Sequence, residues 1–594
     1  MQFASKSGWP RPGVLPETVP TPMNKTGSWR FLTPVFRENN APCRLACPLE
    51  SGIARWLNKV RQGDLQGAWQ VMQAYNPFPA ITGQVCYRFC EEKCHRSVWD
   101  EAVAIREVEK AVGLWRHQNY KTGKTGRHGR SEVPAGKKVA IVGSGPAGLS
   151  CAYYLRQSGA AVTVFEKLPL AGGLLATGIP AYRLPRGILN KELEILEGEG
   201  IIFRTGLEVG REVSLPELQA QFDAVLLAVG AQQSRRLQVK GEALPGVSGA
   251  LEFLGDLHTG RRKAVEGPVI VAGGGNAALD AACMAKLNGA REVNLLYRRS
   301  REEMPAHPEE IEAAAAAGVN FVFETVLQEI CGAGRIEKVC AVHTAPSRRG
   351  EPLQILPGTA FELPCKLLIV AAGQESNLPG LFPSFQNSSR NMLLQKNKKT
   401  TVRGSLNLAD RLFVAGDALT GPASVAAAIF GGRQAALQLL QVLGGQPETA
   451  APASSGCIAG DKQGSTSPAE TTAPDSAGTT FPAEQLAVQE AVYPGIAPPL
   501  PSRQEAVSDD HLNACLYPKQ GRQARPQQEA KRCFSCGTCS RCGVCWLFCP
   551  EPAIKQEPDG SFQILLDYCK GCGICAVECP AGVLVMEEVP GHGT

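Results

Sequence analysis

The sequence has no long uninterrupted run of apolar residues, and its first residues lack the apolar core of a signal peptide. We therefore expect neither a membrane span nor export, and we predict a cytoplasmic protein. An excess of charge of one sign is also missing, since 61 Lys and Arg stand against 56 Asp and Glu, a net charge of +5 over 594 residues. So small a surplus argues against the basic surface that binds nucleic acid.

Cysteine is plentiful by contrast. Of the 22 cysteines, five lie between Cys43 and Cys94 and ten between Cys533 and Cys579. A secreted disulfide scaffold would be a short chain with a signal peptide, whereas this chain is long enough for roughly three to five domains. Clustered CxxC spacings in such a chain favour metal or iron–sulfur ligation.

Between Lys137 and about Gln446, short apolar segments such as KVAIVGSG, DAVLLAVG and PVIVAGGG alternate with helical stretches, and several of them end in glycine. This alternation predicts an α/β fold with parallel sheets. Residues 447–500 are instead rich in Ala, Pro, Ser, Thr and Gly and have no periodicity, which predicts a flexible linker.

The segment KKVAIVGSGPAGLSCAYYL has Gly143, Gly145 and Gly148 in the spacing GxGxxG, between a predicted strand and a predicted helix. The first glycine permits a tight turn, the second lets the backbone approach a pyrophosphate, and the third lets the helix pack on the sheet. Glu166 ends the next strand, where a carboxylate can bind a ribose hydroxyl. The segment predicts a dinucleotide site; the alternative is a glycine-rich structural turn.

A second segment, GPVIVAGGGNAALDAA, repeats this logic with Gly273, Gly275 and Ala278. In place of an acid after the following strand, the sequence has Arg298 and Arg299. Because arginine pairs with a 2′-phosphate, NADP is favoured over NAD; the alternative is a solvated basic strand end. Two such sites in one chain are typical of flavoproteins that bind FAD and a nicotinamide nucleotide.

These motifs, with AGGLLATGIPAYRLP, YRRSREEMPA and LFVAGDALTGPASVAAAIFGGRQAA, resemble the small subunit of glutamate synthase and its relatives over about residues 40–445. The resemblance implies that the first loop binds FAD and the second binds NAD(P)H. It implies these FAD-binding residues: Gly143, Ser144, Gly145, Pro146, Ala147, Gly148, Glu166, Lys167, Gly173, Leu174, Arg183, Gly230, Gly416 and Asp417. For the nicotinamide nucleotide it implies Gly274, Gly275, Asn276, Ala277, Arg298, Arg299 and Gly373.

The N-terminal cysteines, with the stretch NPFPA, resemble that family's two-cluster domain. The family has four cysteines in its first group, but Val35 and Glu38 stand at two of those positions here, so one cluster lacks two ligands. The resemblance implies one N-terminal [4Fe–4S] cluster; none and two are the alternatives, as is a helical domain with cysteines buried for packing. The implied ligands are Cys47, Cys86, Cys90 and Glu109.

Cys43 and Cys94 belong by resemblance to the incomplete cluster. They are then spare, or Cys94 replaces Glu109 as a ligand.

The C-terminal region has two C-x2-C-x2-C-x3-C-P runs. In two-cluster ferredoxins the fourth cysteine of such a run ligates the other cluster. The spacing predicts two [4Fe–4S] clusters; a zinc ribbon is the alternative. The ligand sets are Cys539, Cys542 and Cys545 with Cys579, and Cys569, Cys572 and Cys575 with Cys549.

Cys533 and Cys536 are left over by this assignment. We predict that they are spare or structural; the alternative is a metal whose other ligands lie elsewhere in the chain.

The fold prediction is two Rossmann-like nucleotide-binding domains between an α-helical N-terminal Fe–S domain and a C-terminal ferredoxin-like α+β domain. The domain boundaries are 1–130 for the helical domain, 137–242 and 373–446 for FAD, 243–372 for NAD(P)H, 447–528 for the linker and 529–594 for the ferredoxin domain.

The predicted function is an NAD(P)H:acceptor oxidoreductase subunit that uses FAD and [4Fe–4S] clusters, with no side chain acting as acid or base. The resemblance to longer relatives implies a redox partner such as sulfite reductase, a 2-oxoacid or aromatic-acid oxidoreductase, or a ferredoxin. A dimer or a hetero-oligomeric complex is expected. The alternatives are a glutamate synthase small subunit and a non-catalytic subunit with vestigial flavin sites.

Overall fold

The computed structural model describes residues 25–37, 41–120, 136–378, 382, 405–409, 411–444, 525–537, 539, 541–558 and 560–589. The predicted linker at 447–528 lies almost wholly outside these residues. In the part of the chain that is described, no helix combines the length and apolar character needed to cross a bilayer.

The N-terminal domain is helical, as its sequence predicts. In its second helix Ile53, Trp56, Leu57 and Val60 are buried, which is the i, i+3, i+4, i+7 pattern of an amphipathic helix. Its helices are α1 (Pro42–Ala46), α2 (Ile53–Arg61), α3 (Leu65–Met72), α4 (Pro79–Val85), α5 (Phe89–Glu92) and α6 (Ile105–Asn119).

The first nucleotide-binding domain has a six-stranded sheet in the order β16-β17-β5-β2-β3-β4. The strands are parallel except β16, which is antiparallel to β17. They are β2 (Lys138–Val142), β3 (Ala161–Glu166), β4 (Ile202–Thr205), β5 (Ala224–Leu227), β16 (Ser405–Ala409) and β17 (Leu412–Ala415). The helices are α7 (Pro146–Gln157), α8 (Leu174–Thr177), α9 (Arg186–Gly198), α10 (Leu215–Gln221), α14 (Asp417–Thr420) and α15 (Val425–Val442).

The second nucleotide-binding domain is inserted into the first and has a parallel five-stranded sheet in the order β10-β9-β8-β14-β7. Its strands are β7 (Val247–Gly249), β8 (Pro268–Ala272), β9 (Glu292–Leu296), β10 (Asn320–Val322) and β14 (Leu367–Val370). Its helices are α11 (Ala250–His258), α12 (Asn276–Leu287) and α13 (Pro308–Ala316). An antiparallel sheet of β11 (Thr325–Cys331), β12 (Lys338–His343) and β13 (Phe361–Pro364) covers one face, and β6 (Gln233–Ser234) pairs with β15 (Gln374–Glu375) where the two domains join.

The C-terminal domain is small, and its sheet contains a strand from the other end of the chain. Strand β1 (Leu32–Phe36) lies antiparallel to β20 (Leu584–Glu588), with Val35 opposite Val585. The other elements are α16 (Pro526–Lys531), α17 (Val544–Leu547), β18 (Ile554–Gln556), β19 (Phe562–Ile564) and α18 (Ile574–Val577).

A segment near each end of the chain therefore packs on the domain at the opposite end. Residues 25–37, predicted with the helical domain, pack on the C-terminal domain, where the Gly27 amide donates to the Asp567 carbonyl at 2.9 Å. Conversely, α16 packs on α2 and α6, although the predicted boundary at 529 places half of it with the ferredoxin domain. Sequence pattern does not reveal such long-range packing. The α/β class with flanking Fe–S domains is confirmed.

Candidate functional site

The turn after β2 has the geometry of a dinucleotide-binding loop. Gly143 has φ +105°, and a Cβ there would lie 2.4 Å from the Ala228 carbonyl oxygen. A Cβ on Gly148 would lie 2.0 Å from the Gly143 carbonyl oxygen. The fold itself therefore requires these two glycines. Ser144 lies between Gly143 and Gly145, and Pro146 and Ala147 begin α7.

Gly145 differs, because the protein alone does not require it. Its φ of −69° and ψ of 178° suit any residue, and a Cβ there would meet no atom within 4 Å. A glycine in an allowed conformation facing open space at a helix N-terminus fits a group that approaches the backbone closely, as a pyrophosphate does. Gly173 packs closely against this loop, since a Cβ on Gly173 would lie 2.9 Å from the Gly145 Cα. Leu174 then begins α8.

Glu166 lies beside this loop at the end of β3 and is buried. Its carboxylate accepts hydrogen bonds from the Ser144 amide at 3.0 Å, the Ser144 hydroxyl at 2.6 Å and the Leu168 amide at 3.0 Å. The acid therefore fixes the shape of the loop, and its contact with a ribose stays a prediction. Lys167 follows it in an exposed position.

Asp417 has a carboxylate oxygen that the described protein atoms do not satisfy. It begins α14 after Gly416, whose φ is +67°, and its Oδ1 is buried without a hydrogen-bond partner among the described residues. Burial raises the pKa of this carboxyl to about 6. An unpaired buried acceptor is costly, so this oxygen fits the hydroxyl of a bound ligand. The geometry supports FAD here, as the resemblance implies.

An Asp417→Ala variant is expected to bind FAD about 10- to 100-fold more weakly, because a hydrogen bond to a charged acceptor contributes about 1.5–3 kcal/mol. The carboxylate predominates above its pKa of about 6. The difference from the wild-type chain should therefore be large near about pH 7.5 and smaller near about pH 5, where the native carboxyl keeps its proton.

Flavin fluorescence titration of the wild-type and variant apoproteins at both pH values measures this difference in FAD affinity. Asp256→Ala is the control. Asp256 lies on α11 in the second nucleotide domain, and its carboxylate pairs with the Arg261 guanidinium at 2.8 Å. Equal FAD affinity in the Asp417 variant and in this control would contradict the assignment.

The loop after β8 repeats the first loop. Gly273 has φ +150°, and a Cβ there would lie 2.4 Å from the Ala371 carbonyl oxygen, while a Cβ on Gly274 would lie 2.4 Å from the Tyr297 ring. Gly275 has φ −90° and ψ 174°, and a Cβ on it would meet no atom within 4 Å. Asn276 and Ala277 open α12. This loop fits a second nucleotide by the same argument.

Gly230 and Gly373 follow the carboxyl ends of β5 and β14, the sheet edge at which ligands of α/β folds bind. Their φ values are +72° and +118°, a region that glycine adopts readily.

The structure separates the two arginines after β9. The Arg299 side chain is buried and donates to the carbonyl oxygens of Arg348 at 2.9 Å and Glu351 at 3.0 Å, so it holds a neighbouring loop. Arg298 is exposed. Of the two predicted phosphate ligands, the exposed Arg298 is the one available to a ligand.

Arg183, predicted beside FAD, lies at the junction with the second nucleotide domain. It pairs with Asp280 at 2.7 Å and Glu310 at 2.8 Å, and its guanidinium lies over the Tyr87 ring. These contacts hold the N-terminal and nucleotide domains together, and a contact with FAD stays a prediction.

Cys47, Cys86, Cys90 and Glu109 are brought together by α4, α5 and α6. Glu109 is buried and accepts from the Asn76 amide at 2.9 Å. Burial is the main cause that raises the pKa of this carboxyl to about 7, and burial followed by the charge on Glu109 raises the pKa of Cys86 to about 12. Three thiols and a carboxylate in one buried place fit the predicted cluster.

Asn76 is a residue that the sequence reasoning missed. Its side chain donates to Glu109 and to the Thr82 hydroxyl, at 2.7 Å in the latter case, and so orients the carboxylate. The stretch NPFPA, in which it stands, was the available signal.

The C-terminal cysteines form two groups that match the crossed ligand sets. Cys539, Cys542, Cys545 and Cys579 line one cavity, and Cys549, Cys569, Cys572 and Cys575 line the other. Each cavity draws three cysteines from one run and the fourth from the other. The donor sets fit two iron–sulfur clusters.

Comparison with known families agrees with this division of the chain. Residues 137–432 match the pyridine nucleotide-disulphide oxidoreductase family, residues 36–121 match dihydropyrimidine dehydrogenase domain II with its 4Fe-4S cluster, and residues 562–585 match the 4Fe-4S binding domain.

Among individual proteins, the chain is 36% identical over 441 residues to the NADP(+)-dependent formate dehydrogenase subunit beta of Moorella thermoacetica, covering 68% of this chain and 60% of that protein. It is 35% identical over 352 residues to the NADPH-Fe(3+) oxidoreductase subunit beta of Geobacter sulfurreducens, covering 57% and 51%. It is 34% identical over 420 residues to the glutamate synthase [NADPH] small chain of Escherichia coli K12, covering 67% and 87%. The match thus spans between half and two thirds of the first two relatives, and most of the third.

Proposed function

The chain belongs to the family of the glutamate synthase small chain, and from that premise we propose that it is an electron-transfer subunit that oxidises NADPH and delivers electrons to a partner redox protein. Its relatives named above carry NADP(H) in their names, and each is named as a subunit or chain of a larger enzyme. The partner of this chain has no signature in the sequence, so the proposal names it only by its chemistry, as an acceptor of single electrons.

The observation that carries the proposal is the continuity between the first nucleotide loop and the N-terminal cysteines. Cys47 packs against the core of the first nucleotide domain and against the core of the helical domain. The two domains are further joined by the Tyr154 hydroxyl, which donates to the Gln73 carbonyl at 2.9 Å, and by a buried pair of Arg116 and Glu192 at 2.6 Å. The predicted flavin ligands and the predicted N-terminal cluster ligands thus lie in two domains that pack directly on each other.

When bound, FAD would accept one hydride, which carries two electrons, and iron–sulfur clusters would carry those electrons one at a time. The chain's own residues place these groups: the loops at Gly145 and Gly275 hold the two nucleotides, Asp417 accepts from the flavin nucleotide, and the cysteine sets hold the iron. Cys572 is exposed, unlike the other described cysteines, so its set lies nearest to a docking partner.

Anaerobic titration with NADPH tests the proposal on the full chain. The flavin absorbance near about 450 nm should bleach, and iron–sulfur EPR signals should appear with it. A chain purified with FAD that NADPH fails to reduce would contradict the proposal and favour a non-catalytic subunit. Co-purification with a glutamine-using large subunit would instead favour a glutamate synthase.

Replacing Arg298 tests the preference for NADPH. Arg298→Ala is expected to raise KM for NADPH about 10-fold or more and to leave KM for NADH almost unchanged, because only NADPH has the 2′-phosphate that a guanidinium can bind. Steady-state kinetics with both nucleotides measures the change. The control is Arg291→Ala, an exposed arginine at the opposite end of β9. An equal rise of KM for both nucleotides would rule out 2′-phosphate recognition.

A further inference from the structure

Residues 525–537 leave the C-terminal domain and dock on the N-terminal helices through buried charges. The fully buried Glu529 accepts from the Ala104 amide at 2.8 Å and pairs with Arg532 at 2.5 Å. Arg532 also pairs with Asp100 at 3.0 Å. Burying charges is costly unless they are paired, so these contacts specify one position for the segment.

The same network extends to the loop that follows Cys94. The Arg96 guanidinium donates to the Arg532 carbonyl at 2.9 Å, and Arg532 donates to the Glu101 carbonyl at 2.6 Å. Arg96 also lies over the Phe534 ring, with its guanidinium carbon 5.2 Å from the ring centroid. The residues on both sides of Cys533 are therefore fixed against residues 96–101.

This docking brings together the four cysteines of the two cysteine-rich regions, 43–94 and 533–579, that belong to none of the predicted ligand sets. Cys43, Cys94 and Cys533 pack against one hydrophobic cluster, which also contains Ala530 of α16. The Cys536 sulfur lies 3.7 Å from Nδ1 of His95, the residue after Cys94. Burial raises the pKa of Cys43, and the charges on Cys533, Cys536 and Cys94 raise it further, so the four sulfurs are close enough to act on one another.

The spacing of these four cysteines fits an iron–sulfur cluster better than a single metal ion such as zinc. Four zinc-bound thiolates at about 2.3 Å from the metal lie about 3.8 Å apart. Within the described ranges, no three His, Cys, Asp or Glu side chains converge closely enough to hold one metal ion. The same holds for the C-terminal cysteines, four of which (Cys569, Cys572, Cys575 and Cys579) lie in the region that matches the 4Fe-4S binding domain. Wider groups of four thiols suit the corners of a cubane.

We propose that Cys43, Cys94, Cys533 and Cys536 ligate a further [4Fe–4S] cluster, whose binding site is completed by the C-terminal segment of the chain. Cys533 and Cys536 replace the two ligands missing at Val35 and Glu38. For Cys533 and Cys536 the proposal favours the alternative of a metal site whose other ligands lie elsewhere in the chain, and it stands whichever nucleotide the protein oxidises.

The position of the site gives it a role. Cys43 lies four residues before Cys47, which packs against the core of the first nucleotide domain, and Cys536 lies three residues before Cys539 of the ferredoxin set. Three residues span at most about 11 Å. The site therefore lies between the N-terminal set and the C-terminal sets, and joins what would otherwise be two separate groups of iron sites.

Metal analysis of the full chain, purified anaerobically after iron–sulfur reconstitution, tests the proposal. The wild-type chain should hold about 16 irons and as many sulfides, and Cys533→Ala/Cys536→Ala should hold about 12. The reduced variant should lack one EPR signal. Cys43→Ala/Cys94→Ala should lose the same signal, and combining all four substitutions should remove no further iron. FAD content reports whether each variant is folded.

The control is Cys331→Ala/Cys340→Ala, which removes another neighbouring pair, with sulfurs 3.8 Å apart, and should leave iron unchanged. Unchanged iron in Cys533→Ala/Cys536→Ala would overturn the proposal, as would one zinc in the wild-type chain in place of the four irons. If the variants lose FAD, native mass spectrometry of the wild-type chain decides: four clusters support the proposal and three refute it.

Discussion

A Gly145→Val variant is expected to fold and to lose FAD. The backbone at Gly145 is in an extended conformation open to any residue, and the space around its Cβ position is empty of protein atoms. A side chain at this position therefore begins in space that the protein leaves open, and valine would occupy the place where a pyrophosphate meets the helix N-terminus. We expect FAD affinity to fall at least about 100-fold, equivalent to about 2.8 kcal/mol.

Circular dichroism shows whether the variant folds, and its flavin content after purification shows whether it has lost FAD. Gly187→Val is the matched control, because Gly187 likewise has no atom within 4 Å of its Cβ position, but it lies exposed on α9. A Gly145 variant that keeps stoichiometric FAD would show that the first loop does not hold the pyrophosphate. A variant of Gly143 cannot serve, since its side chain would collide with the Ala228 carbonyl.

A Gly275→Val variant is expected to give the complementary result, with FAD retained and reduction by NADPH slowed at least about 100-fold. Gly275 has the same open surroundings in the second loop, so the substitution blocks the nicotinamide nucleotide alone. Stopped-flow reduction with NADPH measures the rate, and dithionite serves as a reductant that needs no nucleotide site.

The Gly275 variant should still be reduced by dithionite at the wild-type rate. If Gly275→Val lost FAD while Gly145→Val kept it, the two loops would have to exchange their assignments. Unimpaired reduction by NADPH would place the nicotinamide nucleotide elsewhere.

Local patterns were sufficient to predict the geometry of the two glycine-rich loops and the grouping of eight C-terminal cysteines into two sets. Gly143, Gly148 and Gly273 are required by contacts within a few residues or with the adjacent strand, and such contacts leave a fixed spacing in the sequence. The crossed cysteine sets follow from two short runs of the same kind. The family resemblance supplied Glu109, whose place beside Cys47 and Cys86 depends on packing between helices.

Features that depend on distant packing could not be predicted. Nothing in the sequence distinguishes Arg299 from its neighbour Arg298. The difference arises from the loop at 348–351, whose carbonyl oxygens accept hydrogen bonds from the Arg299 guanidinium. Cys533 and Cys536 continue the three-residue spacing of the ferredoxin run, so pattern alone groups them with it. Their actual neighbours are set by the burial of Glu529 and Arg532 against the N-terminal helices.

The exchange of chain ends also sets the order in which the protein can mature. Cys536 follows His95 by 441 residues, which a ribosome adds in roughly 20 to 90 s at about 5–20 residues per second. Throughout that time the helical domain exists without α16, and β1 exists without β20. The packing of the N-terminal helices on α16 and of β1 on β20 can therefore form only after those later residues have been made. Loading of the proposed cluster at Cys43, Cys94, Cys533 and Cys536 accordingly follows the synthesis of residue 536, and a chain truncated before residue 525 would leave β1 without its partner strand and α2 and α6 without α16.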